Sequence, residues 1–375
     1  MTEQDGGLAE PDEPGVPVLR DRILLHTRTV AAAEAVDDVI GGTVLCSTQA
    51  VERAKDAGRN LQGPLLLDPG RYEKHVAGSA DSFYVKPRDD DGPMLYAPRR
   101  DAGYPGREQL DAGATAVLTP TRYFTIGDIH AVTAATRRVR ELDPEKVIFT
   151  VPLAAPWLRS DQTIRWLIDS LNLVPHVKAI ALGSPSDPLP DLPTAQRLRD
   201  LIDGIHNVAL IRTGLAGLDA YARGAAFVSI GVQNSCRAFW PPDAGHPEAN
   251  PRGTPKPYVL HPVLMEYFPG GDLAHLYGHG RPPECPCGVC HGQPYTRFVG
   301  DDPDDVEEAE QHNLATWLPW AEELQRASPG GARRDLWQRR CYRAVDAREA
   351  IERRWRSRRS PPQSAALTLW ATERD

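Results

Sequence analysis

An α/β fold of the (β/α)8 TIM-like barrel type, with a zinc-binding extension toward the C-terminus, is predicted by three observations. Seven short apolar runs recur between about residues 40 and 235, each followed by a polar turn and a helix-like stretch. No glycine-rich dinucleotide turn opens any of these units, which argues against an open doubly wound sheet. Three cysteines then cluster at Cys285, Cys287 and Cys290, after the texture of the chain has changed.

The runs occupy residues 43–47, 64–68, 114–119, 146–152, 177–183, 207–213 and 225–231, and an eighth falls either at 22–26 or at 258–267. Their unbroken apolarity suits strands covered on both faces, as in a parallel sheet wrapped by helices. Helical spacing of apolar residues lies between them, at 129–142, 164–171 and 193–205. In such a barrel the reactive groups follow the strand C-termini. That places Asp68, Thr119, Thr121, Ala154, Ser184, Asp187, Thr213 and the segment 231–237 around one mouth.

The domain plan follows from composition. Residues 1–17 form an acidic, Pro/Gly-rich tail, and 18–236 carry most of the barrel. Residues 237–330 hold an insertion with the cysteine cluster, 331–360 a basic helical stretch, and 361–375 a second tail. A chain of 375 residues with 41% hydrophobic content is long enough for one barrel-sized core plus an extension. The acidic N-terminus and the lack of any apolar run of about 18 residues predict neither a signal peptide nor a membrane span. Clustered rather than evenly spread cysteines fit a reducing cytoplasm, with Cys46, Cys236 and Cys341 as free thiols or core fillers.

The net charge of −8 is unevenly spread. Asp301, Asp302, Asp304, Asp305, Glu307, Glu308 and Glu310 make an acidic run. Eleven arginines fall between Arg333 and Arg359, among them Arg339, Arg340, Arg353, Arg354, Arg356, Arg358 and Arg359. Most charge runs are solvated helix faces. Interleaved with Trp337, Tyr342 and Trp355, this one also reads as a surface for nucleic-acid phosphates.

Cys285-Pro-Cys287-Gly-Val-Cys290 brings three thiolates onto one tight loop. Thiolates in a tetrahedral array suit Zn2+, and a fourth ligand must come from elsewhere. His312, expected to begin a helix that Pro319 kinks or restarts, is the first candidate; His291 is the second. Cys287-Gly-Val-Cys290-His291 also matches the c-type haem attachment pattern, which requires an exported chain. Four protein ligands make a zinc site structural, so chemistry is sought elsewhere. His261, His275 and His279 lack the spacing of a metal pair and read as satisfied loop histidines.

The three-cysteine loop, followed by His312-Asn313-Leu314, resembles the tRNA-guanine transglycosylase family, zinc-containing barrels that exchange a guanine in nucleic acid for a deazaguanine. Leu67-Asp68-Pro69-Gly70-Arg71-Tyr72 is similar to that family's Asp-Ser-Gly-Gly-Phe-Gln loop, whose aspartate acts on the bound base. Leu158-Arg159 and Gly183-Ser184 match parts of two further loops, and Gly224 to Ser229, with Arg237 eight residues on, resembles the strand that delivers the nucleophile. The likeness spans roughly residues 43–326.

The resemblance implies Asp68 as general acid/base and a substrate site including Tyr72, Thr119, Thr121, Gly183, Ser184 and Arg237. It also puts Ser229 where a carboxylate nucleophile is needed. Retentive cleavage of an N-glycosidic bond calls for an ionised carboxylate, and neither Val228 nor Ile230 can activate a serine. Asp187, in the loop after the fifth run, is the candidate second carboxylate, although an Asp before a proline is often a turn residue. Two function classes follow. One is an enzyme of transglycosylase type acting on a nucleobase, nucleoside, tRNA or DNA. The other is a non-catalytic accessory relative that binds nucleic acid through Arg339, Arg340, Arg353, Arg354 and Arg356, alone or as a homo- or hetero-dimer. Arg212-Thr213-Gly214 and Asn234 to Arg237 are candidate phosphate-binding turns.

Overall fold

The computed structural model describes residues 15–34, 41–57, 61–84, 106–245, 256–277, 282–300, 302–355 and 363–372. Eight strands build the barrel: β1 (Arg22–Thr27), β2 (Thr43–Cys46), β3 (Leu65–Asp68), β4 (Val117–Leu118), β5 (Val147–Ala154), β6 (Val177–Gly183), β7 (Val208–Thr213) and β8 (Phe227–Gly231). All pair in parallel, in the order β3-β2-β1-β8-β7-β6-β5-β4. The two ends of that order meet at a seam, where Thr115 N donates to Leu65 O (2.8 Å) and Leu65 N donates to Thr115 Oγ1 (3.0 Å). The barrel is therefore nearly closed.

Of the two candidates for the eighth strand, Arg22–Thr27 takes the place, wedged between β2 and β8. Residues 258–267 go instead into an antiparallel hairpin outside the barrel, β9 (Tyr258–His261) with β10 (Glu266–Pro269).

Around the strands lie α1 (Val30–Glu34), α2 (Ala50–Ala57), α3 (Arg107–Asp111), α4 (Ile129–Val139), α5 (Asp161–Leu171), α6 (Leu192–Gly204) and α7 (Ala216–Ala222). Local chemistry starts two of them. The Asp128 carboxylate caps α4 by accepting from Ala131 N (2.9 Å), and Asp191 caps α6 through Thr194 N (2.8 Å) with Pro193 in the first turn. The period of two along the strands separates the layers: Val44 and Leu66 join the main core, while Leu45, Leu65 and Leu67 pack outward against Ala50, Ala54 and Ala112. Cys46 and Asp68 therefore share the inward face of β2 and β3.

The extension contains α8 (Gly270–Leu276), α9 (Pro303–Arg326), α10 (Gly331–Trp355) and α11 (Ala365–Ala371). Helix α9 begins nine residues before His312 and runs through Pro319, so His312 is mid-helix and Pro319 neither ends nor restarts it. The Asp302 cap, Pro303 in the first turn and Asp304 and Asp305 beside the N-terminal dipole all favour the earlier start. Burial of Trp317, Trp320, Ala321 and Leu324 offsets the backbone bond that the proline removes.

Residues of both expected tails pack on the core: Val16 is buried there, and α11 buries Ala366, Leu367 and Trp370, the last against Trp337 of α10. Three buried apolar residues within seven repay the ordering of α11, which the polar residues around it conceal in the sequence. Among the described residues, no helix is long and apolar enough to cross a membrane.

Candidate metal centre and barrel mouth

The Cys285, Cys287 and Cys290 sulfurs lie 3.6, 3.5 and 3.4 Å from His312 Nδ1. Tetrahedral bonds of about 2.0–2.3 Å put ligand atoms about 3.3–3.8 Å apart, so the three sulfurs already stand around Nδ1 at the spacing a bound metal needs, all four atoms lying within 4.8 Å of one another. The loop is shaped for this: Cys285 N donates to Gln293 O (3.0 Å), Gly292 N returns to Cys285 O (3.0 Å), and His291 turns the chain with φ +48°. His291 itself is exposed, and His312, which is fully buried, is the residue placed to complete a set of four ligands.

Helix α9 orients that ligand through two neighbours in sequence. His312 Nε2 lies 3.0 Å from Leu260 O, which fixes the tautomer that leaves Nδ1 free for a cation. Asn313 grips the same strand, donating to Tyr258 O (2.6 Å) and accepting from Leu260 N (2.5 Å). The His-Asn pair thus docks α9 onto β9. Burial pushes the Cys285 and Cys290 thiols above their ordinary values. Cys287 is also partly buried, but the Cys290 and Val289 N–H groups hold its thiol below the ordinary value. Losing all three protons together is what a bound metal achieves. Nearby His261 is satisfied without a metal: Nδ1 accepts from Val263 N and Leu264 N (3.1 and 3.0 Å), and Nε2 meets Tyr277 and Tyr295 (2.6 and 3.0 Å). His279 lies outside the described residues.

At the barrel mouth the strand ends bring together a second polar cluster. Asp68 is buried, accepts from Gly70 N (2.9 Å) and binds the Tyr72 hydroxyl. Burial raises its carboxyl above the ordinary range, against the opposing pull of Arg212 and the Tyr72 and Gly70 bonds. Ser229, also fully buried, has His26 Nδ1 at 3.0 Å from its hydroxyl oxygen and accepts from Arg212 N (3.1 Å). Val228 and Ile230 indeed offer Ser229 nothing polar; the group that meets its hydroxyl comes from β1, whose Leu24 pairs with Ser229. On the other side of the ring, His26 Nε2 sits 3.7 Å from Asp68 Oδ2 and has no hydrogen-bond partner.

Arg212 was read as a phosphate-binding turn residue, yet it is buried and turned inward. A register shift in β7 and a left-handed backbone (φ +53°) aim its guanidinium at Tyr72 OH (3.2 Å) and Glu73 (2.6 Å), with Ser235 O also accepting (2.8 Å). Backbone strain of this kind in a non-glycine residue persists where surrounding contacts over-determine it. Burial alone would depress His26, and Arg212 and Arg28 depress it further, so the imidazole is neutral.

The remaining sequence-selected residues divide into two groups. Thr119 and Thr121 are buried and bond each other (2.8 Å), Thr119 also accepting from Thr150 N (2.9 Å). Phe239, which the sequence did not single out, crosses the mouth: it bridges to Gly183, accepts from Ser184 N (3.0 Å) and packs on Tyr72 (ring centroids 4.6 Å apart). A side chain at Gly183 would strike that ring at 2.5 Å, so glycine is required there by Phe239. Arg237 donates to Val232 O (2.7 Å) and stacks on Tyr267 of β10 (3.6 Å), joining mouth to extension. Asp187 stands apart, exposed and closing a turn through Leu189 N (2.9 Å).

The basic stretch is only partly a surface. Arg333 and Arg348 are buried, paired with Asp21 (2.5 Å) and Glu266 (2.7 Å), on the same stripe as Trp337, Cys341 and Ala344. Arg340 pairs with Glu323, and Arg353 with Glu349 (3.2 Å). Arg339 and Arg353 are exposed. The Arg354 side chain and Arg356, Arg358 and Arg359 lie outside the described residues.

No protein-family model matches the chain, and no curated protein matches it. Among solved structures, a mutant tryptophan synthase α-subunit from the hyperthermophile Pyrococcus furiosus is similar at 13% identity and a TM-score of 0.31, over 56% of this chain and 87% of that one. So faint a likeness contributes nothing to the functional argument, and the barrel assignment rests on the strand order itself.

Proposed function

We propose that the chain is a nucleobase-binding barrel of the tRNA-guanine transglycosylase type, with a rebuilt mouth and a structural Zn2+ held by Cys285, Cys287, Cys290 and His312. The observation that carries this reading is Asp68: a buried carboxyl with a raised proton affinity, at the end of β3, in the loop that resembles the family's base-handling loop. Such a group gives or takes a proton at the edge of a purine-like ring. Tyr72 and Gly70 N orient it, and Arg212 sets the charge around it. The ion's contribution is to hold the extension together, its four positions being filled by protein.

Conventional exchange through a covalent carboxylate adduct is not expected, because Ser229 occupies the corresponding strand position. The protein is incubated with tRNA and with DNA, each with labelled guanine, followed by denaturing electrophoresis. Base binding that is lost in Asp68→Asn, with no trapped protein–nucleic acid adduct, is the predicted result. An adduct that survives in the wild type and vanishes in Ser229→Ala would show Ser229 to be the nucleophile. Absence of both base binding and exchange would leave a nucleic-acid-binding accessory role, for which the exposed Arg339 and Arg353 are the supporting feature.

A further inference from the structure

Beyond the Cys3His centre, a second group of ligand-type atoms converges in the molecule. His26, Cys46 and Asp68 end three adjacent parallel strands, β1, β2 and β3, and all point into the barrel. Their donor atoms lie within 4.8 Å of one another. His26 Nε2 and Asp68 Oδ2 lie 3.7 Å apart, a few tenths of an ångström beyond the tetrahedral edge of about 3.3–3.5 Å that nitrogen and oxygen ligands set.

We propose that His26 Nε2, Cys46 Sγ and Asp68 Oδ2 form a second metal site at the barrel mouth, with three protein ligands and one open position. One nitrogen, one sulfur and one oxygen suit a borderline-soft divalent ion such as Zn2+ or Co2+, and exclude Ca2+ and Mg2+, which take oxygen. Three protein ligands with a vacant fourth place are the pattern of a reactive rather than a structural ion.

Two features of the surroundings support it. His26 Nε2 is a fully buried nitrogen with no hydrogen-bond partner, facing a carboxylate too far away to bond directly. A cation between them satisfies the nitrogen and gives Asp68 Oδ2, already bonded by Tyr72, a second partner. Its other nitrogen already has the outer-sphere partner that a ligating histidine needs: Nδ1–H donates to Ser229 Oγ, itself fixed by Arg212 N. Asp68 is likewise oriented by Tyr72 and Gly70.

The charges balance. On loading, the Cys46 thiol releases one proton to solvent, giving a thiolate beside the Asp68 carboxylate. Those two negative charges match a divalent ion. The nearby guanidiniums of Arg212 and Arg28 both bond Glu73, which offsets part of their positive charge (2.6 and 3.3 Å). The open position takes water or a ring nitrogen or oxygen of the base expected under the proposed function; with the ion bound Asp68 serves as a ligand, and the proton exchange assigned to it above belongs to the metal-free site. In the loaded site His26 keeps its Nδ1 proton, and Ser229 acts by positioning the ring.

The test is metal content without substrate, which separates this proposal from the nucleobase reading because Cys46 has no part in the latter. Protein purified without chelator is expected to hold about two equivalents per chain, falling to about one in Cys46→Ala and in His26→Gln. The equivalent that remains reports an intact Cys3His centre and hence a folded chain. X-ray absorption on the Co2+-substituted wild type, which needs no variant, should show an average of a sulfur-rich and a mixed N/O/S shell. One equivalent with a purely Cys3His shell in the wild type overturns the proposal, as do two equivalents that persist in both variants.

Discussion

Glu73 shows how one side chain reports on the whole mouth. Its burial would raise the carboxyl, but the Arg212 and Arg28 guanidiniums outweigh that and hold it below the ordinary value of 4.5. A carboxyl depressed on folding stabilises the protein above its unfolded value, and the contribution is lost as pH falls through the lower folded value. Stability of the wild type is therefore expected to drop more steeply than that of Glu73→Gln below about pH 4.5, measured by denaturant unfolding at a series of pH values. Parallel pH profiles would mean that the pairing contributes nothing. Burial first, and then the same two arginines, hold His26 neutral, so Glu73, although no candidate ligand itself, tempers the positive charge around the cluster by pairing with them.

Elements α9 and α10 show which interactions matter when charge is abundant. Arg348 reaches Glu266, a carboxylate only 9% exposed, whose proton affinity burial has already raised. Arg348→Ala strands that carboxyl and should cost about 3–5 kcal/mol. Arg353→Ala breaks a pair whose members are 68% and 61% exposed, and should leave stability unchanged within error, since surface pairs contribute about 0–1 kcal/mol. Thermal melts of the two variants test this directly, and equal losses would contradict it. The Cys3His loop sits on a small satellite core of Val259, Leu264, Phe268, Leu273, Tyr295 and Phe298. Because binding of the proposed ion there would be folding free energy, Cys287→Ser or a strong chelator should expose this cluster to hydrogen exchange while the barrel strands stay protected. Uniform loss of protection across both would show that the extension does not unfold separately.

For the molecule as a whole, the two questions are how a ligand reaches Asp68 and how a polyanion would dock. Phe239 covers the mouth, so Phe239→Ala should lower stability by about 3–5 kcal/mol yet speed the association of a purine-like ligand. Stopped-flow binding decides it: an unchanged association rate would show that Phe239 is not the barrier. Only outward arginines of α10 belong in a binding test. Replacing Arg334, Arg339, Arg343 and Arg353 together, with Arg333 and Arg348 kept, should weaken RNA binding and flatten its dependence on salt. RNA affinity that is unaltered at low salt would return these residues to the role of a solvated face.

What the sequence determined by itself was local. Buried parallel strands declare themselves as unbroken apolar runs, because helices cover both of their faces. Cys285, Cys287 and Cys290 declare a metal loop because their spacing alone makes them converge, and His312 lies within reach on the next helix. What only the tertiary structure decided was set by strand order and register. His26 meets Ser229 across 203 residues because β1 lies beside β8, and it meets Cys46 and Asp68 because β2 and β3 follow on its other side. The bulge that turns Arg212 inward, the crossing of Phe239 over Gly183, and the burial of Arg333 and Arg348 within an otherwise exposed basic run have the same origin. Each joins residues far apart in the chain, and their proximity depends on which strands and helices become neighbours when the barrel closes.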